Sequence, residues 1–327
     1  MIHLFCIKDN TLTYNLLIHC KWRCVMDKLE PVYRIIGDKL TDFIYKNHYG
    51  NDKLQEIRMR ANRPLIIRYD GENIVTNVRI NEDDLHNTFN CLSGASAYAY
   101  EEEIRNGYIT IAGGHRVGFA GKTVVENSTV KSMKSISFIN IRIASEQKGC
   151  ADRIMPFLYE GERVFNTLIV SPPGAGKTTL LRDIIRQVSN GSAYCPGKNT
   201  GVVDERSEIC ACYNGIPQND VGMRTDVLDG CPKTEGMMML LRSMSPEVIA
   251  VDEIGTKEDM QAVSSAMICG CHVIATHHGY GINDVIQNSK LDKHFERIIV
   301  LSLSSKKERT ALIYDGEGRL LHKCILN

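Results

Sequence analysis

Lys177 and Thr178 follow a turn written Ser171-Pro-Pro-Gly-Ala-Gly176, and Thr179 comes directly after them. A lysine and two hydroxyls behind closely spaced glycines suit the binding of a phosphate chain. Glycines let backbone N–H groups converge on phosphate oxygens without side-chain obstruction. Lys177 has the charge and reach for β- and γ-phosphates, the Thr178 hydroxyl suits Mg²⁺, and Thr179 is placed for an α-phosphate. The loop residues Ser171, Pro172, Pro173, Gly174, Ala175 and Gly176 would form the cradle. The first glycine of the usual phosphate-loop pattern is Ser171 here, so the turn has to accommodate a Cβ.

Acidic pairs supply the second ingredient. Asp252-Glu253 closes the apolar run Val248-Ile-Ala-Val251. Asp252 suits the holding of Mg²⁺, and Glu253 suits the positioning or deprotonation of a water that attacks the γ-phosphate. Val202-Val-Asp-Glu205 has the same form, which makes Glu205 the second-ranked base. A third run, Cys271-His-Val-Ile-Ala-Thr276, ends in His277-His278. Thr276 or His278 could contact the γ-phosphate and sense its loss, or be structural; His277 is the weaker candidate. Arg58, Arg60, Arg105, Arg116 and Arg142 read either as surface or ion-paired arginines or as residues that reach a neighbouring subunit's nucleotide. Arg242 could link the γ-phosphate to the next subunit or form a local ion pair.

Positioning these groups requires particular elements. The run from Val164 reads as a strand, and Leu180, Leu181, Ile184, Ile185 and Val188 recur at helical spacing up to the stop Asn190-Gly191. Strand, glycine turn and helix is the context a phosphate loop requires. Apolar runs without alternation, each ending in a polar group, predict a parallel α/β sheet with the site at its carboxyl edge. A short helix is predicted over 152–159, a polar loop over 214–233 and a Met-rich core helix over 234–244. Thr256 is read as a helix cap. Upstream, alternation in Leu54–Arg60, the Pro64–Gly71 stretch, a helix capped by Asn81, a hairpin around Gly113-Gly114 and a strand from Ile136 predict a smaller α+β unit. Glu101–Glu103 reads as a solvated helix face. The expected division is 1–25, 26–148 and 149–327. Residues 1–25 lack periodicity and read as a spurious extension before a start at Met26, or as an arm.

Lys plus Arg and Asp plus Glu number 39 each, for a net charge of zero. This speaks against a strongly basic nucleic-acid binder. No stretch reaches the roughly 18–20 apolar residues of a membrane span, so a cytoplasmic or peripheral protein is expected. The 12 cysteines include Cys210-Ala-Cys212 and Cys269-Gly-Cys271. These spacings are not those of paired C-x-x-C zinc sites, and several cysteines suit apolar packing.

Glu56-Ile-Arg-Met-Arg60, Gly113-Gly-His-Arg-Val-Gly118, Asp204-Glu-Arg-Ser-Glu208, Arg224–Pro232 and Leu241–Gly255 resemble the stage III sporulation AA family. That family is similar to the hexameric ATPases of type II and type IV secretion and of pili. Leu241-Arg-Ser-Met-Ser-Pro-Glu247 and Thr276-His-His278 carry the relationship, with His278 as the histidine of a Thr-x-His box. The resemblance implies a RecA-like P-loop NTPase domain behind the α+β unit, with ATP and Mg²⁺ as ligands. It also implies a hexameric ring in the mother cell, peripheral at the membrane facing the forespore. There it would energise or assemble a channel built of integral-membrane sporulation proteins. A nucleic-acid-dependent RecA-like motor and a nucleotide-binding scaffold without turnover are the alternatives.

Overall fold

The computed structural model describes residues 28–50, 53–93, 107–126, 128–286, 294–303 and 308–326. The N-terminal stretch 1–25, the Glu101–Glu103 run and Arg105 lie outside them. The chain forms two compact units divided between Ala144 and Ser145, slightly before the expected 148/149. The connector side chains engage the second unit. Gln147 and Lys148 bond to Arg309 and Asp220, and Glu146 accepts the Asp220 N–H, all within the second unit.

Strand alternation builds the first unit. Its strands are β1 (Leu54–Arg60), β2 (Pro64–Tyr69), β3 (Glu72–Arg79), β4 (Tyr108–Ile111), β5 (His115–Glu126) and β6 (Thr129–Arg142). They form one antiparallel sheet in the order β3-β2-β1-β6-β5-β4. Ile57, Met59, Leu65, Ile67, Val117, Ile139 and Ile141 share one face and are buried with residues of α1 (Glu30–Lys46) and α2 (Glu82–Ser93). The opposite face carries Arg58, Arg60, Arg116 and Arg142. Asn81 caps α2 reciprocally: its Oδ1 accepts the Asp84 N–H at 2.7 Å and its own N–H reaches Asp84 Oδ2 at 2.9 Å. Ile111 pairs with His115 across Ala112–Gly114, where Gly113 (φ 81°) and Gly114 (φ 75°) take left-handed backbone. His115 is buried between the Lys28 carbonyl and the Ala144 N–H. The strand expected from Ile136 begins at Thr129, because polar residues extend its pairing with β5 to Glu126.

In the second unit a small hairpin, β7 (Tyr159–Glu160) and β8 (Arg163–Val164), precedes β9 (Thr167–Ser171). The other strands are β10 (Thr200–Asp204), β11 (Thr225–Asp229), β12 (Val248–Val251), β13 (His272–His278), β14 (Arg297–Leu303), β15 (Arg309–Asp315) and β16 (Leu320–Leu326). The sheet order is β11-β10-β12-β13-β9-β14-β15-β16. The strands β9 to β14 run parallel, and β15 and β16 are antiparallel additions. Every residue of β9, β10 and β12 is buried. The helix α3 (Lys177–Asn190) contributes to the core on one face, and α4 (Lys233–Ser243) and α5 (Lys257–Ile268) contribute to that on the other. Coverage on both faces is why these strands read as unbroken apolar runs. Gly191, at φ 85°, ends α3, and Thr256 forms a capping box with Asp259 on α5.

Three expectations are corrected. The 152–159 segment is a 3-10 turn at Met155–Phe157 followed by β7, not a helix; Pro156 has no N–H to extend one. The 214–233 loop contains β11, a half-exposed edge strand whose aspartates break any apolar run. Met237 is buried but Met239 is 45% exposed, because successive helical residues point about 100° apart.

Asp183 on α3 is 3% exposed and accepts bonds from the Ala151 N–H, Arg186 and Gln187. Burial alone would raise its pKa, but the Ala151 N–H and the Arg186 guanidinium outweigh burial and hold it below the ordinary aspartate range. Asp183→Ala should lower unfolding stability by about 3 kcal/mol, the cost of stranding a buried partner. Its folded pKa is depressed, so its stabilisation is full above the unfolded aspartate pKa and disappears as pH falls through the lowered value. Denaturant titrations of wild type and variant should therefore converge in acid; a gap independent of pH would refute the electrostatic part.

Candidate active site

The phosphate loop joins β9 to α3. Ser171 is the last strand residue, buried and paired with His278. The left-handed positions fall on Gly174 (φ 77°) and Gly176 (φ 96°), so a Cβ at Ser171 is accommodated in extended backbone. Ala175 N–H closes the turn on the Pro172 carbonyl at 3.4 Å. The helix starts at Lys177. Its first-turn N–H groups have no intrahelical acceptors, and its dipole favours an anion there.

Because the strands are parallel, the carboxyl ends of β10, β12 and β13 lie on the same edge. Lys177 Nζ is 3.2 Å from Glu253 Oε1 and 3.5 Å from His278 Nε2, and His278 Nε2 is 2.9 Å from Glu253 Oε1. Arg206 Nη1 donates to Glu253 Oε2 at 3.2 Å. Thr178 Oγ1 donates to Asp252 Oδ2 at 2.8 Å, and the Thr276 hydroxyl donates to Asp252 Oδ1. Thr276 Oγ1 also accepts the Glu253 N–H at 2.8 Å. Glu253 has φ 56°, a costly conformation for a residue with a Cβ. The tight turn that carries it holds its carboxylate at Lys177. Burial by itself would raise the Glu253 pKa, but Lys177 and His278 outweigh burial and hold it below the usual glutamate range. His277 instead bonds the Ile254 carbonyl through Nδ1 at 2.8 Å.

The Asp204-Glu205 pair divides its work. Asp204 is 2% exposed and accepts N–H bonds from Glu208, Ile209 and Cys210 at 2.8, 3.0 and 2.7 Å. It anchors the loop that follows β10. Burial, with Asp229 adding to it, pushes its pKa up against those bonds. Glu205 pairs with Lys233. Asp204, Glu205, Arg206, Glu208, Lys233, Asp252 and Glu253 line one cleft. Arg206 and Lys233 escaped the sequence reading; the signal available for Arg206 was its place directly after the second acidic pair.

The arginines of the first unit differ in engagement. Arg58 makes a two-pronged bond to Glu56 at 2.8 and 3.0 Å, and Arg116 lies 4.7 Å above the Tyr108 ring. Arg60 and Arg142 have no ion-pair partner among the described residues. Arg242 is exposed in the last turn of α4. Cys210, Cys212 and Cys271 are buried free thiols. Among the described residues, no three His, Cys, Asp or Glu side chains form a metal-holding group. Mg²⁺ held by one or two protein oxygens and by phosphates needs no such group, and the hydroxyl and carboxylate of Thr178 and Asp252 are hard oxygen donors of that kind. No described helix is long and apolar enough to cross a membrane.

A glycine loop opening a helix beside acidic strand ends, on a largely parallel sheet covered on both faces, defines the RecA-like P-loop class. Solved structures share the fold. The ATPase DotB of Legionella pneumophila aligns with TM-score 0.55 and 17% identity over 84% of this chain and 79% of that one. The pilus retraction motor PilT, solved with ADP, aligns with TM-score 0.58 and 15% identity over 89% and 84%. The chain belongs to the family described as Sporulation stage III, protein AA, whose family model matches residues 26–321. Stage III sporulation protein AA of Bacillus subtilis (strain 168) is 44% identical over 276 residues, 83% of this chain and 90% of the relative.

Proposed function

We propose that the chain is a Mg²⁺-dependent ATP hydrolase of sporulation that acts as a hexameric ring and energises or assembles a channel between mother cell and forespore. The observation that carries this reading is the placement of the Glu253 carboxylate against Lys177, His278 and Arg206. A carboxylate at the carboxyl edge, next to the lysine that binds phosphate, suits the alignment of water for in-line attack. Phosphate oxygens would draw Lys177 away from Glu253, while His278 and Arg206 keep the carboxylate ionised and in place. Thr178 and Asp252 would hold Mg²⁺, which neutralises charge on the β- and γ-phosphates. The Thr276 hydroxyl ties Asp252 to the Glu253 turn, so it links the metal side of the site to the base. Glu205, engaged with Lys233, would shape the cleft rather than act on water.

The ring is proposed because Lys177 and Arg206 of the second unit are engaged with Glu253, whereas Arg60 and Arg142, on one face of the first unit, stand without carboxylate partners among the described residues. These two, more than Arg58 or Arg116, suit a neighbouring subunit's nucleotide. The family relationship supports integral-membrane channel proteins as partners and a position in the mother cell, peripheral at the membrane facing the forespore.

Specific ATPase activity should rise with protein concentration. Arg142→Ala should lower it about a thousandfold or more, as for removal of a transition-state arginine, while leaving nucleotide affinity of the dilute chain unchanged. Activity independent of concentration would refute the ring. Stimulation by single-stranded DNA or RNA would favour a nucleic-acid motor instead.

A further inference from the structure

We infer that Arg309 is a phosphate ligand of the nucleotide site, acting within its own chain on the α/β-phosphate side; this rests on the nucleotide reading above. The topology brings it there. β14 runs parallel to β9, so Leu303 ends at the carboxyl edge of the sheet. β15 is antiparallel, and its first residue, Arg309, pairs with Leu303. An arginine more than a hundred residues downstream therefore lands on the same edge as the phosphate loop.

The contact is close. A Cβ added to Gly176 would stand 3.4 Å from the Arg309 guanidinium carbon, 3.5 Å from Nη1 and 3.6 Å from Nε. The guanidinium thus covers the open side of the loop that glycine leaves free. Its Nη1 donates to Gln147 Oε1 at 2.8 Å, a neutral acceptor. Among the described residues no carboxylate forms an ion pair with it, although the residue is half-buried. A guanidinium partly removed from water calls for an anion, and a phosphate accepts two of its parallel N–H bonds.

The sheet order assigns the end of the phosphate chain. Glu253 and His278 follow or end β12 and β13, on one side of β9. Arg309 comes from β15, on the other side. The Cys150 thiol donates to the Thr179 carbonyl at 3.7 Å, three residues after Gln147, which accepts the Arg309 bond, and Thr179 is the hydroxyl placed for the α-phosphate. A phosphate chain with its γ-end at Glu253 and Lys177 extends towards Arg309 at its α-end.

Titration of the full chain with ATP and with ADP, followed by calorimetry, tests this. Arg309→Ala should raise the Kd of both nucleotides by a similar factor, about tenfold, leaving their ratio unchanged. Arg309→Lys, which keeps charge but loses the two-pronged geometry, should fall between, and it carries the test if the alanine variant does not fold. Unchanged Kd values in both variants, or a loss confined to ATP, would overturn the assignment. A wild-type chain that binds neither nucleotide would overturn the nucleotide reading and this one with it. Wild-type binding with unaffected Arg309 variants would overturn this one alone.

Discussion

Lys177→Ala should raise the Kd for ATP by roughly a hundredfold or more, and Lys177→Met should do the same. A charge-assisted bond is worth about 1.5–3 kcal/mol, and this ammonium would serve two phosphates, which makes the loss multiplicative. The methionine variant separates charge from packing, since it keeps the apolar stem of a side chain that is 8% exposed. The melting temperature without nucleotide should change little, because Glu253 retains His278 and Arg206 after Lys177 is removed. Titration with ATP alongside thermal unfolding checks both halves. Unchanged affinity in both variants would mean that the loop does not bind phosphate. A large drop in melting temperature would mean that the Lys177–Glu253 pair is structural.

What could be read from the sequence depended on whether local signals and tertiary context agreed. Gly174, Gly176, Lys177 and the following helix period are a local pattern, so the loop, α3 and its stop at Gly191 were all legible. So were the β10, β12 and β13 runs, because burial on both faces writes an unbroken apolar code. β11 was not legible, since an edge strand with Asp226 and Asp229 carries no such code. Asp204-Glu205 and Asp252-Glu253 look equivalent in sequence. What distinguishes them is the loop after β10, whose N–H groups consume Asp204 while Lys233 takes Glu205. No spacing rule reports that. Arg309 lies even further from local information: it reaches the phosphate loop only because β15 reverses direction beside β14. Met237–Met239 is the opposite case: composition marks the whole run as core, whereas rotation around the helix buries Met237 and exposes Met239.

Glu253→Gln should lower kcat for ATP about 10²–10⁴-fold, the usual contribution of a positioned general base, and leave the Kd for ATP nearly unchanged. Glutamine keeps the length of the side chain and tolerates the left-handed backbone no worse than glutamate, so the turn at φ 56° remains. What it loses is the negative charge that Lys177, His278 and Arg206 surround, and with it the capacity to accept a proton from water. Glu205→Gln is the matched control, because its carboxylate lies in the same cleft but is bonded to Lys233. That variant should cost far less in kcat. The pair of measurements separates three mechanisms. Loss confined to Glu253→Gln with intact binding makes Glu253 the residue that acts on water. Full activity in Glu253→Gln with loss in Glu205→Gln transfers that role to the end of β10. If the wild type binds ATP but does not turn it over at any concentration, the nucleotide-binding scaffold becomes the better reading, and the ionised Glu253 then serves to hold Lys177 in place.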